Sequence, residues 1–369
     1  WSSDVCSSDL CWFTPGFDGR WGLPLLLVGD PGTGKTSGLC ADARAFGLRA
    51  KVLIGSISDP TDFGGIPTAP ADGSDFARML LPGWLREVDG WNGDAGVVVL
   101  DELTCVPAAQ QAAMLRLVLE GCAGDYRLNP RVRLVAAANP VEQAAGGQPL
   151  AMPMANRFGH LEVSPVALDD WFAILAGEFY SDAPLDAAAI EADVLAAWPA
   201  AYARAQALAH GFLRKRPDCA QRTPRAGSPD AEGAWTSRRS WEFAMRALAG
   251  AAIHGLSTDD RDTLLAAYLG STTAIEFAGW LRDADLPDEI ALLDGQVKWA
   301  PVIYRPDRTA AVLDLCVAAV LNTADEQHRV ARARVLGLLL QAVAAETPDL
   351  AQPVCIKLAG DPKLLLLPE

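Results

Sequence analysis

The stretch LLLVGDPGTGKTSG, residues 25–38, limits what this chain can fold into more than any other. A β-forming apolar run meets a turn carrying Gly29, Gly32 and Gly34, and a helical pattern opens directly at Lys35 and Thr36. Gly29-Asp30-Pro31-Gly32-Thr33-Gly34-Lys35-Thr36 fits G-x-x-x-x-G-K-[ST] in the strand, turn, helix context that this motif requires. A helix entered in this way presents its first amides with no intrahelical partner, and glycines let neighbouring amides converge on the same point. Such a nest takes a phosphate. Lys35 would add positive charge at the β and γ oxygens, and the Thr36 hydroxyl would ligate Mg²⁺.

Further along, LPLLLVG (23–29), KVLIGS (51–56), GVVVLD (96–101), VRLVAAAN (132–139) and GHLEV (159–163) alternate with helical segments. Apolar strands with no in/out alternation predict a parallel sheet covered on both faces, hence an α/β nucleotide-binding core. After Pro165 the strands give way to helical pattern, interrupted by the Pro/Gly/Arg-rich stretch 215–236, which reads as a loop. The expected division is an α/β domain over 11–165, a helical lid over 166–255 and a helical C-terminal extension over 256–369. The first ten residues, WSSDVCSSDL, show no period and resemble a translated adaptor peptide, so they are set outside the fold and the natural N-terminus is expected to be missing.

The run Val97-Val98-Val99-Leu100 ends in two carboxylates, Asp101 and Glu102. Following a phosphate loop, Asp101 is the candidate to hold Mg²⁺, and Glu102 the candidate to polarise the water that attacks a γ-phosphate.

With these motifs together, the chain resembles an AAA+ ATPase. The resemblance implies ATP and Mg²⁺ as cofactors and three further site residues. Asn139, in RLVAAANP, stands at the position called sensor 1 and would orient the lytic water. Arg157, in ANRF, resembles the arginine finger that reaches a neighbouring subunit's nucleotide. Thr236-Ser237-Arg238-Arg239-Ser240-Trp241 resembles sensor 2, so Arg239 would contact the γ-phosphate in cis, with Arg238 as the fallback. Asp59-Pro60-Thr61-Asp62-Phe63-Gly64-Gly65, DELTCVPAAQQAAML and the AANP segment are similar to the MoxR and dynein-related branch, over roughly residues 20–255. Asp30, where many AAA+ proteins have Pro, and Thr104 and Cys105, where many MoxR proteins carry Asn and Arg, depart from that pattern. The branch implies a homo-oligomeric ring, typically a hexamer, acting as a chaperone on a protein client, often one with a von Willebrand factor A domain. It also places a pore hairpin near 66–85, where Phe76, Met79 and Leu80 could grip a client or serve as core.

The 369 residues suit two or three domains, and the formal net charge of −15 repels phosphate backbones. One local exception lies between Arg214 and Arg239, where Arg214, Lys215, Arg216, Arg222, Arg225, Arg238 and Arg239 face only Asp218, Asp230 and Glu232. That stretch keeps a nucleic-acid motor or loader open as the alternative reading, beside a nucleotide-gated scaffold with little turnover. The eight cysteines form no Cys-x-x-Cys pair, which points away from zinc sites and disulfide frameworks and towards free thiols. No apolar stretch approaches the ~18 residues that span a bilayer, and the N-terminus has no signal-peptide order, so a cytoplasmic location without a membrane span is expected. Trp280 and Trp299, in the C-terminal segment, are either core aromatics or partner anchors.

Overall fold

The uninterrupted apolar runs become the centre of a parallel sheet. The computed structural model describes residues 9–69, 77–144, 146–176, 184–301 and 304–360. In chain order its strands are β1 (Leu25–Val28), β2 (Arg49–Ile54), β3 (Ile66–Thr68), β4 (Arg78–Leu80), β5 (Gly96–Asp101), β6 (Cys122–Ala123), β7 (Tyr126–Arg127), β8 (Val132–Ala138) and β9 (Gly159–Glu162). Five pair in parallel in the order β2-β5-β8-β1-β9. Residues 96–100 and all of β8 are buried, as two-faced coverage demands, whereas edge strand β2 is largely open to solvent. The α/β core followed by helical segments is therefore the architecture observed.

The chain divides into two compact units, Trp1–Leu195 with Thr223–Ser271, and Ala196–Arg222 with Thr272–Glu369. The three breaks of this division, at 195/196, 222/223 and 271/272, lie at other positions than the expected 165/166 and 255/256. Two helices run through the division: Ala187–Lys215, which carries Pro199 inside it, and Ser271–Asp283. The stretch expected as a lid is thus shared, with its ends in the first unit and its middle in the second.

In the first unit, Leu26, Val98, Leu100, Leu134 and Ala136 pack with Met114, Leu117 and Val118 of the helix Ala108–Glu120. That helix is preceded by Pro107 and stopped by Gly121 at φ 66°. Tyr268, from the helix Thr258–Leu269, is buried and donates its hydroxyl to the Pro24 carbonyl oxygen at 3.3 Å, which holds this helix to the sheet. Arg133, fully buried on β8, ion-pairs with Glu191, whose other oxygen accepts from Arg131 at 2.9 Å. Leu10, set aside with the N-terminal decapeptide, is buried together with Cys11, Trp12 and Phe13, because this apolar quartet gains more from the core than from water. Residues 1–8 lie outside the described residues.

The second unit is helical. Leu313, Val317 and Val320 of the helix Pro306–Asn322 pack against Leu336, Leu340 and Val343 of Glu326–Glu346 and Val354 of Pro348–Ala359. A separate aromatic group joins Phe212, Phe277 and Trp280, with the first two ring centroids 5.1 Å apart. Trp280 is a core residue, its Nε1 donating to Asp307 Oδ2 at 2.8 Å, and Trp299 is half-buried against the larger cluster.

Candidate functional site

Parallel pairing brings the C-terminal ends of β1, β8 and β5 to one edge of the sheet. Val28 pairs with Ala138, and Leu100 with Ala136, so the glycine turn, Asn139 and the Asp101-Glu102 pair emerge side by side. Gly34 occupies the N-cap of the helix Lys35–Ala45 at φ 84°, and no side chain caps that helix, so its first amides remain available. Gly34 and Gly32 both have left-handed φ, and a Cβ on either would meet nothing within 4 Å, so the space above the turn is open. At Gly29 the demand is packing: a Cβ would come within 2.4 Å of the Val163 carbonyl oxygen.

Lys35 Nζ donates to the carbonyl oxygens of Gly29 at 2.7 Å and Asp30 at 2.9 Å, and to Asn139 Oδ1 at 3.0 Å. Burial pulls its pKa down, opposed by the charges of Asp101 and Asp30. The Thr36 hydroxyl donates to Asp101 Oδ2 at 2.7 Å, and Asp101 Oδ1 accepts the Glu102 N–H at 2.8 Å. Glu102 sits at φ 57°, ψ 40°, a left-handed conformation that a residue with a Cβ adopts at a cost of order 1–3 kcal/mol. Lys35, Thr36, Asp101, Glu102 and Asn139 are thus gathered into one group.

A hydroxyl and a carboxylate oxygen in contact form a hard-oxygen donor set suited to Mg²⁺, which typically takes one or two protein ligands and completes its shell with phosphate and water. Among the described residues there is no cluster of three or more His, Cys, Asp or Glu that could hold a metal. Thr36 and Asp101 therefore fit the smaller requirement of Mg²⁺ bound beside a phosphate.

Beyond the turn opens a cleft of about 600 Å³. Its lining comes from Gly32, Thr33 and Gly34 of the turn, Ser37, Gly38, Ala41 and Arg44 of the helix that follows, and Pro165, Val166, Leu168, Trp171 and Ile174 of the segment after β9.

The two arginines lie elsewhere in the first unit. β9 runs parallel to β1 with Leu25 opposite Gly159 and Val28 opposite Glu162, so Arg157 precedes the end of β9 opposite to the end where the phosphate loop leaves β1. The strands alone separate them by about 10 Å at ~3.3 Å per residue. Arg157 donates to the Pro153 carbonyl, while its Nε is buried without a partner. Burial and then the charge of Arg239 lower its pKa, with Glu120 opposing. Arg239 follows the N-cap of the helix Arg238–Ile253, where Ser237 forms a capping box with Ser240 and donates to Asn156 Oδ1 at 2.8 Å. Asn156 Nδ2 donates in turn to the Trp235 carbonyl at 3.0 Å. Arg239 is therefore placed with Arg157, and Arg238 is exposed on the same turn.

The sequence reading did not assign Thr104, Asn156 or Ser237 to the site. The Thr104 hydroxyl donates to the Asn139 carbonyl at 2.8 Å and anchors that residue from the far side. Nothing in the local pattern around Thr104 signals this, since the partner is 35 residues away.

Met79 and Leu80 lie on the β3–β4 hairpin, with Leu80 and Ile66 exposed, while Phe76 falls outside the described residues. In the basic stretch, Arg216 makes a two-armed contact with Asp218 at 3.0 and 2.9 Å and also meets Glu276. Arg222 pairs with the same two acids, so both cations are matched inside the second unit. All seven cysteines among the described residues are free, and no helix among them is long and apolar enough to cross a membrane.

No protein-family model matches the chain. Among solved structures it is similar to a crystal structure described as a "putative ATPase" from Cytophaga hutchinsonii, at 16% identity and a TM-score of 0.45, over 72% of this chain and 79% of that one.

Proposed function

We propose that the chain is a Mg²⁺-dependent ATPase of the AAA+ type. The observation that carries this reading is the convergence of the Lys35 ammonium, the Thr36–Asp101 contact, Glu102 and Asn139 at one sheet edge, above a helix N-terminus whose amides are uncapped. The turn amides bind the phosphates, and Lys35 exchanges its contacts to the Gly29 and Asp30 carbonyls for phosphate oxygens. Thr36 and Asp101 would hold Mg²⁺, which would supply charge neutralisation for the bound phosphates. Glu102 takes the proton of the attacking water, and Asn139, braced by Thr104, orients that water.

Arg157 and Arg239 act together on a nucleotide held by a neighbouring copy, which makes the active unit a homo-oligomer, a hexameric ring in the MoxR-like reading. Their position at the opposite end of the sheet from this chain's own loop supports that division of labour over a cis role for Arg239. The energy is spent on remodelling a protein client, with the exposed β3–β4 hairpin as the client-facing element. Purified protein should hydrolyse ATP only with Mg²⁺ present. Lys35→Ala should lose nucleotide binding, and Glu102→Gln should bind without turnover. Full activity in either variant would overturn the proposal.

A further inference from the structure

The phosphate cradle accounts for only part of the lining of the 600 Å³ cleft, a volume within the range of small-molecule sites. Gly38 and Ala41 leave the helix side low, because neither projects beyond a methyl group. Trp171, which lines the same cleft, is a large aromatic that is 47% exposed. Its neighbour Phe172 lies 5.5 Å away by ring centroid at an interplanar angle of 36°, so the two rings are tilted and not stacked face to face. Beyond the glycine turn, the side chains among the described residues that line the cleft and carry hydrogen-bonding heteroatoms are Ser37, Arg44 and the Trp171 indole, and Arg44 is exposed.

We infer that Trp171 is the stacking platform for the base of the bound nucleotide, and that the cleft recognises a purine by stacking and shape with little reading of its edge. This rests on the nucleotide-binding assignment above. Trp171 lines the same cleft as Gly32–Gly34, so a nucleoside attached to a triphosphate on that turn enters the space this ring borders. Every base has a π-face, so an aromatic platform tolerates base identity. Strong discrimination comes from buried polar side chains that a wrong ligand leaves unpaired, and the described residues of these walls offer few. The chain therefore takes guanine triphosphate as well as adenine triphosphate.

The test is calorimetric titration of the full chain, with Mg²⁺, by ATP, GTP and inorganic tripolyphosphate, in wild type, Trp171→Ala and Trp171→Phe. ATP and GTP should bind wild type within roughly fivefold of each other. Trp171→Ala should weaken both roughly tenfold, about 1.4 kcal/mol, and leave tripolyphosphate unchanged, while Trp171→Phe should stay near wild type. Unchanged ATP affinity in Trp171→Ala, or GTP weaker than ATP by more than about a hundredfold in wild type, would overturn the inference. Wild type that binds neither ATP nor tripolyphosphate would remove the nucleotide assignment itself, and this inference with it. The tripolyphosphate arm tells the two failures apart.

Discussion

The Thr36 hydroxyl donates to Asp101 Oδ2 at 2.7 Å across 65 residues of sequence, joining the start of the helix that follows β1 to the end of β5, which is not adjacent to β1 in the sheet. The same carboxylate's other oxygen accepts the Glu102 N–H, so Asp101 spans the candidate metal ligand and the candidate base. Asp101→Asn keeps an acceptor but loses the charge. Hydrolysis should fall by at least about 100-fold, the usual effect of removing a preorganised electrostatic group. A Mg²⁺ titration at fixed ATP should show the metal dependence of nucleotide binding flattened.

Glu102 carries its side chain on a left-handed backbone, φ 57°. Glu102→Gln retains that strain and Glu102→Gly relieves it, although glycine costs more chain entropy on folding. Both variants should lose turnover. Glu102→Gly should be more stable than Glu102→Gln by about 1 kcal/mol, which corresponds to roughly 2–4 °C in melting temperature for a unit of this size. Equal melting temperatures would show that the conformation is not strained in the folded protein.

Arg157 feels the repulsion of Arg239, which the charge of Glu120 opposes, and an incoming phosphate would relieve that repulsion further. Arg157→Ala and Lys35→Ala should each be inactive alone. If the arginine serves a neighbour's nucleotide, an equimolar mixture should recover roughly a quarter of wild-type turnover, the share of boundaries with an intact loop on one side and an intact arginine on the other. Measured ATPase rates that stay at the single-variant level after mixing would contradict the shared site.

Asp307 tests the second unit. Burial pushes its carboxyl up, but hydrogen bonds from Arg305 and Trp280 outweigh this and bring it down to about 2. A carboxylate held below its ordinary value stabilises the fold above pH ~4, and the contribution is lost as pH falls towards 2. Asp307→Asn should cost about 2 kcal/mol at neutral pH. Urea melts of the two proteins from pH 7 downward should converge as the acid titrates, and a gap that stays constant would assign the loss to packing.

Much of the candidate site was legible in the chain itself because its encoding is local. Gly32 and Gly34 adopt left-handed φ within a turn, the helix starts one residue later at Lys35, and GVVVLD becomes a strand ending at its acid. Such features depend on φ/ψ preferences and apolar periodicity over a few residues. Strand order, register and long-range packing decided the rest. They set Asn139 Oδ1 on Lys35, put Thr104 behind Asn139, carried Arg239 to Arg157, brought Trp171 to the cleft wall and divided the expected lid between two units. No local rule encodes these pairings, because each depends on which surfaces the folded chain can bury against one another, and partners brought together in that way leave no fixed spacing in the sequence.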